Sequence, residues 1–173
     1  MAKLPIIIAP DPRLKAVCAP IERVDGEMRQ LMDDMLDSMY AANGIGLAAP
    51  QVGIAKRVIV IDAARKNEKP APHFMANPEI VWESDEMARN EEGCLSFPEH
   101  YAEVTRPSKV RVSYLGGDGK SRELEAEGLL ATCVQHEMDH LDGVVLVDHL
   151  SPLKRSIVLR KLTKMKKADK AAG

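Results

Sequence analysis

Leu129-Leu130-Ala131-Thr132-Cys133-Val134-Gln135-His136-Glu137-Met138-Asp139-His140-Leu141 is the stretch from which the rest of this chain can be read. It is apolar on more than one face and is stopped by Gly143, so it predicts a helix buried in the core. His136 and His140 are four residues apart and lie one above the other on a single helical face. Two imidazoles so placed can share one divalent ion, and Glu137 beside them can handle the proton of a water molecule. A buried helix gives that ion dry walls, which strengthen its field. Hydrolysis at a metal is therefore the leading class of chemistry.

Working outward, Asp25 to Ala42 carries Met28, Leu31, Met32, Met35, Leu36 and Met39 at helical spacing, an amphipathic helix with methionines as core filler. Asn43-Gly44 ends it. Arg57 to Asp62 is short and β-branched, a buried strand. Lys109 to Tyr114 alternates apolar with polar, Gly116 to Gly119 supplies a turn, and Arg122 to Ala126 returns as a second strand. Leu153 to about Lys167 forms a last helix, with a basic helical region taken as about 152–168. Helices and strands are segregated rather than alternating, which predicts an α+β fold.

The chain as a whole narrows the options. Its 173 residues suit one catalytic domain, 1–173, with its own core. The apolar fraction is 45% and the charged fraction 29%, as in an ordinary soluble protein. No apolar run approaches the roughly 20 residues that span a membrane. Leu4-Pro5-Ile6-Ile7-Ile8 is short and proline-broken, with no signal-peptide cleavage pattern, so a cytoplasmic location is expected. Three cysteines, Cys18, Cys94 and Cys133, cannot all pair, which fits a reducing compartment. The basic residues cluster at the end: Lys154, Arg155, Arg160, Lys161, Lys164, Lys166, Lys167 and Lys170 stand against Asp169 alone.

Two histidines leave a catalytic ion short of protein ligands, since such sites typically have three. Cys133 lies on the same helical stripe, but at 1.5 Å per residue it is about 7.5 Å along the axis from the level of the ion. It is read as core or pocket wall. Cys94 lies in Glu91-Glu92-Gly93-Cys94-Leu95-Ser96-Phe97-Pro98, a turn-like entry into an apolar segment, where it is either a third ligand or a buried inert thiol. Gly44-Ile45-Gly46-Leu47-Ala48-Ala49-Pro50-Gln51 imitates a dinucleotide fingerprint, but a helix precedes it and a strand follows, the reverse of what that fingerprint needs. The alternative is a tight loop whose glycines admit substrate backbone. Gln51 is then an amide donor to an anionic intermediate, or an ordinary polar loop residue.

Taken together, Gly44-Ile-Gly-Leu-Ala-Ala-Pro-Gln51, Glu92-Gly-Cys-Leu-Ser96 and Gln135-His-Glu-Met-Asp-His140 resemble the three signature motifs of peptide deformylases, in the family's order. The resemblance implies small antiparallel sheets around a buried central helix that carries the metal motif, plus a C-terminal helix. It implies removal of the formyl group from the N-terminal formyl-methionine of nascent polypeptides, with release of formate. It implies Cys94, His136 and His140 as metal ligands and Glu137 as general acid and base. The side chain of Gln51 and the backbone N–H of Leu95 would hold the oxyanion, and Gly46 would contact substrate backbone. Ferrous iron is the metal implied in the cell, with nickel, cobalt or zinc able to replace it.

Ile45, Leu129 and Cys133 are the expected walls of a methionine pocket. Tyr101, seven residues after Cys94, stands where many relatives carry arginine. N-formylmethionyl peptides and nascent chains are the expected partners, with ribosome contact through the basic helix and with neither membrane nor DNA. Two rival readings are a zinc peptidase drawing its third ligand from Asp148 or His149, and a ribosome adaptor with a closed structural metal.

Overall fold

The computed structural model describes residues 3–172; Met1, Ala2 and Gly173 of the expected 1–173 unit lie outside the described residues. Helix α1 spans Gly26–Ala41 and is capped by Asp25, whose carboxylate accepts from the Met28 N–H at 2.9 Å. Its chain reverses at Asn43, which has a positive φ of 57°. Strands β1 (Gly46–Ala48), β2 (Val58–Ile61) and β3 (His73–Glu83) follow, then β4 (Met87–Cys94), β5 (Phe97–Pro107), β6 (Lys109–Leu115) and β7 (Ser121–Glu127). Helices α2 (Gly128–Leu141) and α3 (Pro152–Ala172) complete the described chain, so the last helix runs past the expected 168.

One antiparallel sheet has the order β1-β2-β3-β6-β7, and β4 and β5 pair as a separate hairpin. All four residues of β2 are buried, and their alternation explains why. Ile59 and Ile61 join Val134, Ala131 and Leu141 of α2 in one cluster, while Val58 and Val60 join Met28, Met32, Met35 and Met39 of α1 in another. The sheet is thus sandwiched between the methionine face of α1 and the metal-motif helix α2. This is the α+β arrangement expected.

The segment from Glu91 to Pro98 differs from its sequence reading. It is the end of β4, a two-residue turn at Leu95-Ser96 and the start of β5. Its polar run is strand because Glu92 and Arg106 face inward as a buried ion pair, which breaks the usual alternation. A third cluster joins this hairpin to the C-terminal region, with Phe97, Ala102 and Val104 against Val145, Leu146, Val147 and Leu162. After α2, Gly143 is required: φ is 75°, and a Cβ there would come within 2.5 Å of the Lys15 carbonyl oxygen.

Candidate active site

Helix α2 presents the two imidazoles, and the hairpin brings Cys94 to them across 42 residues of sequence. One ligand atom from each of Cys94, His136 and His140 lies within 4.8 Å of the others, the only such group of three or more among the described residues. Two ligands at ~2.3 Å and ~2.05 Å from one ion, at the tetrahedral angle, stand about 3.6 Å apart. Cys94 Sγ and His140 Nε2 are 3.4 Å apart. The donor set of one thiol and two imidazoles suits a divalent transition metal. Two buried atoms beside it, Glu137 Oε1 and His140 Nδ1, have no hydrogen-bond partner. The residues therefore fit an ion.

His136 is turned toward Cys94 by a partner on the far side of its ring: Nδ1 lies 3.0 Å from Glu92 Oε1. Glu92 is in turn gripped by Arg106 through two bonds of 2.7 and 2.9 Å, and Arg106 also pairs with Asp139 at 2.9 Å. Burial would raise the Glu92 carboxyl, but Arg106 and His136 hold it at about 2. Asp139 and Asp142 are the carboxylates nearest His140 in the chain. Asp139 instead meets Arg106 and His149, and Asp142 meets Arg57. Strand alternation could have found Glu92, since it shares a face with Cys94 two residues on; nothing in the sequence pointed to Arg106.

Glu137 is buried at the floor of the site. Burial pushes its carboxyl up to about 7, His136 opposing this and the Glu92 and Asp139 carboxylates adding to it. Burial would lower His136, but the Glu137 carboxylate and hydrogen bonds to Cys94 and Glu92 push it well above the ordinary imidazole value. Burial and the charge of His136 push His140 down, so the pair starts from opposite protonation tendencies. Gly46 explains how β1 comes so close: a Cβ there would lie 2.5 Å from Glu137 Oε2 and 2.8 Å from Cys133 Sγ.

Gln51 is buried in the 3-10 turn Ala49–Val52. Its Oε1 accepts from the Ala48 N–H at 2.9 Å, which turns Nε2 toward Ser96 Oγ at 3.0 Å and Cys94 Sγ at 3.5 Å. A cleft of about 410 Å³ passes over these groups, lined among others by Gly46, Gln51, Leu95, Glu99, Tyr101 and Glu137. β1 is the sheet's edge strand and forms one wall of this cleft. The Asp62 N–H donates to the Ile45 carbonyl at 2.8 Å, so by antiparallel alternation Gly46 turns its own N–H and C=O away from β2. Ile45, Leu129 and Cys133 line a side cavity of about 110 Å³ together with His136 and Glu137. Tyr101 is 62% exposed at the mouth, its ring against Gly93. Asp148 pairs with Lys15 and Arg155, and His149 with Asp139, so the alternative third ligands of a peptidase are engaged elsewhere.

Residues 3–156 match the family model of polypeptide deformylases. A peptide deformylase of Mesorhizobium japonicum is 57% identical over 169 residues, covering 98% of this chain and 96% of that protein. The crystal structure of peptide deformylase from Ehrlichia chaffeensis superposes with a TM-score of 0.93 at 38% identity, covering 97% of this chain and 99% of that one. A second structure of that enzyme, in complex with actinonin, gives a TM-score of 0.91 at 40% identity over 95% and 98% of the two chains. Among the described residues, no helix is long and apolar enough to cross a membrane.

Proposed function

The chain belongs to the peptide deformylase family and is a metal-dependent hydrolase that removes the N-formyl group from nascent polypeptides, and from that premise we propose how its residues divide the work. Cys94, His136 and His140 hold one divalent ion. When bound, the ion supplies Lewis-acid polarisation of the formyl oxygen and eases the ionisation of water. Glu137 accepts the proton of the attacking water as hydroxide adds to the formyl carbon, then returns it to the amine as the C–N bond breaks and formate leaves. Its enclosure and its unpartnered Oε1 support this role.

Gln51 Nε2 and the Leu95 N–H donate to the oxygen on which negative charge develops, and losing one such donor costs ~10²–10³ in rate. The bond from Ala48 to Oε1 keeps the amide facing the right way without reorganisation. Peptide backbone pairs with the outward edge of Gly46, and the methionine side chain enters the cavity walled by Ile45, Leu129 and Cys133. A formyl carbon carries only hydrogen where a peptide carbonyl carries a side chain, so the same confinement excludes ordinary peptide bonds.

Ferrous iron is the ion we assign in the cell, with zinc, nickel or cobalt able to take its place; elemental analysis after oxygen-free purification tests this. The protein works in the cytoplasm, where its substrates emerge. Helix α3 adds contact with the ribosome through exposed cations such as Arg160, Lys161 and Lys164, phosphate attraction giving affinity without sequence reading. Reversing those three charges should weaken ribosome co-sedimentation, and unchanged co-sedimentation refutes the contact.

The observation that carries the catalytic reading is the convergence of Cys94, His136 and His140 beside buried Glu137 and the fixed amide of Gln51. Formate release from formyl-Met-Ala-Ser, with the Met-Ala bond left intact, is the expected activity of the metal-loaded protein. Glu137→Ala should abolish release while keeping the ion, and Cys94→Ser should lose the ion. Cleavage of the Met-Ala bond, or full metal retention by Cys94→Ser, would overturn the assignment.

A further inference from the structure

Asp62 directly follows β2 and is 6% exposed. It ties three separate segments together. Its backbone N–H donates to the Ile45 carbonyl at 2.8 Å. Its Oδ2 accepts from the Tyr40 hydroxyl at 2.5 Å, at the last turn of α1. Its Oδ1 accepts from the N–H groups of Ala64 and Ala71 at 3.0 and 3.3 Å, which folds the intervening exposed loop back onto it.

The consequence falls on the short span from Tyr40 to Gly46. There the helix ends, Asn43 takes a left-handed conformation, and the chain becomes the edge strand β1. Within the span, the Asn43 and Gly44 N–H groups donate back to the Tyr40 and Met39 carbonyls. The Ile45 carbonyl has one further contact, the Cys133 thiol at 3.5 Å. Tyr40 and Asp62 therefore close a ring around the span: one end is held through the phenol, the other through the backbone of Asp62. Neither residue lines the cleft or the side cavity, and neither meets the metal-site residues.

We propose that Tyr40 and Asp62 are positioning residues that hold Ile45 and Gly46 in register for the formylated peptide. This rests on the reading of Gly46 as the substrate-pairing edge and Ile45 as a pocket wall. A hydroxyl donating to a carboxylate is among the stronger hydrogen bonds, and it locks the phenol at one end of the span. Tyr40 is 42% exposed overall, but loss of water around its hydroxyl and the Asp62 carboxylate push that hydroxyl up to about 12, so it stays a donor across the whole neutral range. Because the clamp touches none of the groups that move protons, loosening it disorders the binding edge and leaves the chemistry of a bound substrate intact. The split between KM and kcat reports this directly.

Tyr40→Phe keeps the ring and removes only the hydroxyl. In the metal-loaded protein it should raise KM for formyl-Met-Ala-Ser about tenfold with kcat within about twofold, the scale of one lost hydrogen bond to a charged group. Amide hydrogen exchange over residues 45–47 and at residue 62 should quicken in step. Asp62→Asn keeps an acceptor for the loop and a polar partner for Tyr40, so it should lie closer to the parent than Asp62→Ala. An unchanged KM with unchanged exchange in Tyr40→Phe overturns the proposal. So does a loss of activity that vanishes on correction for the fraction folded. If the parent protein itself releases no formate, the deformylase assignment fails; the exchange measurement still decides separately whether the clamp holds the strand.

Discussion

Helices α2 and α3 are opposites. In α2, eight of 14 residues are buried, including both imidazoles and Glu137. In α3, which runs over 21 residues, Leu162 is the only buried residue among those whose side chains are described, and most of the rest face outward with a strong excess of cations. The first helix is fixed by the core on several sides, so its functional atoms have one position. The second rests on Leu162, with half-buried Val158, Leu159 and Met165 packed beside it, and the rest of its length faces solvent. Chemistry that depends on sub-ångström placement sits on the element that the core holds hardest.

The contrast makes graded predictions for turnover. Glu137→Gln keeps the shape of α2 but removes the carboxylate proposed to accept the proton, and should lower kcat by ~10²–10⁴. A loss under tenfold in single-turnover formate release would mean that some other group moves the proton.

Glu92→Gln leaves α2 untouched and removes the carboxylate that orients His136. Metal affinity should fall ~10- to 100-fold, as read in a chelator competition, because a ligand's outer partner fixes its ring and raises its basicity. The same substitution has a pH signature. In the folded protein the carboxyl sits at about 2 against an ordinary 4.5, so its stabilising contribution is complete above 4.5 and is lost as pH falls to about 2. Acid unfolding of Glu92→Gln should be shallower than the parent's over that window. Identical acid limbs would show that Arg106 does not hold the carboxylate in solution.

Leu162→Ala tests the buried centre of the contact that holds α3. It should cost about 2–5 kcal/mol in denaturant unfolding, the range for emptying a buried leucine site, while kcat per folded molecule stays unchanged. A fall in kcat would show that the hairpin carrying Cys94 depends on α3 for its geometry, through the cluster they share. Reversal of Arg160, Lys161 and Lys164 should have the smallest effect of all, leaving formate release from a short peptide unaltered. Any change there would tie the helix to catalysis rather than to contact.

The same contrast shows what could be read in advance. A short β-branched run exposed β2, and local apolar patterning exposed α1, the β6–β7 pair and α2. It missed β3, where Asn77 takes a positive φ of 50° and register shifts interrupt pairing with β6. It also missed the β4–β5 hairpin, where inward-facing Glu92 and Arg106 occupy positions that a pattern of apolar residues would reserve for the core. Gly46 was read as an opening for substrate backbone. The structure adds another reason for a glycine there, the space taken by Glu137 and Cys133.

What the sequence alone determined is the chemistry: two imidazoles and a carboxyl group on one helical face, because helix geometry is set over four residues whatever surrounds it. Three motifs in order were enough to suggest the family and the class of reaction. What only the tertiary structure decided is how the distant pieces meet. Cys94 reaches the imidazoles because a hairpin folds over α2, Glu92 selects the face of His136, and Asp62 ties Tyr40 to the strand at the cleft. These are long-range contacts between polar groups, and such groups pair by position in space rather than by any periodicity along the chain.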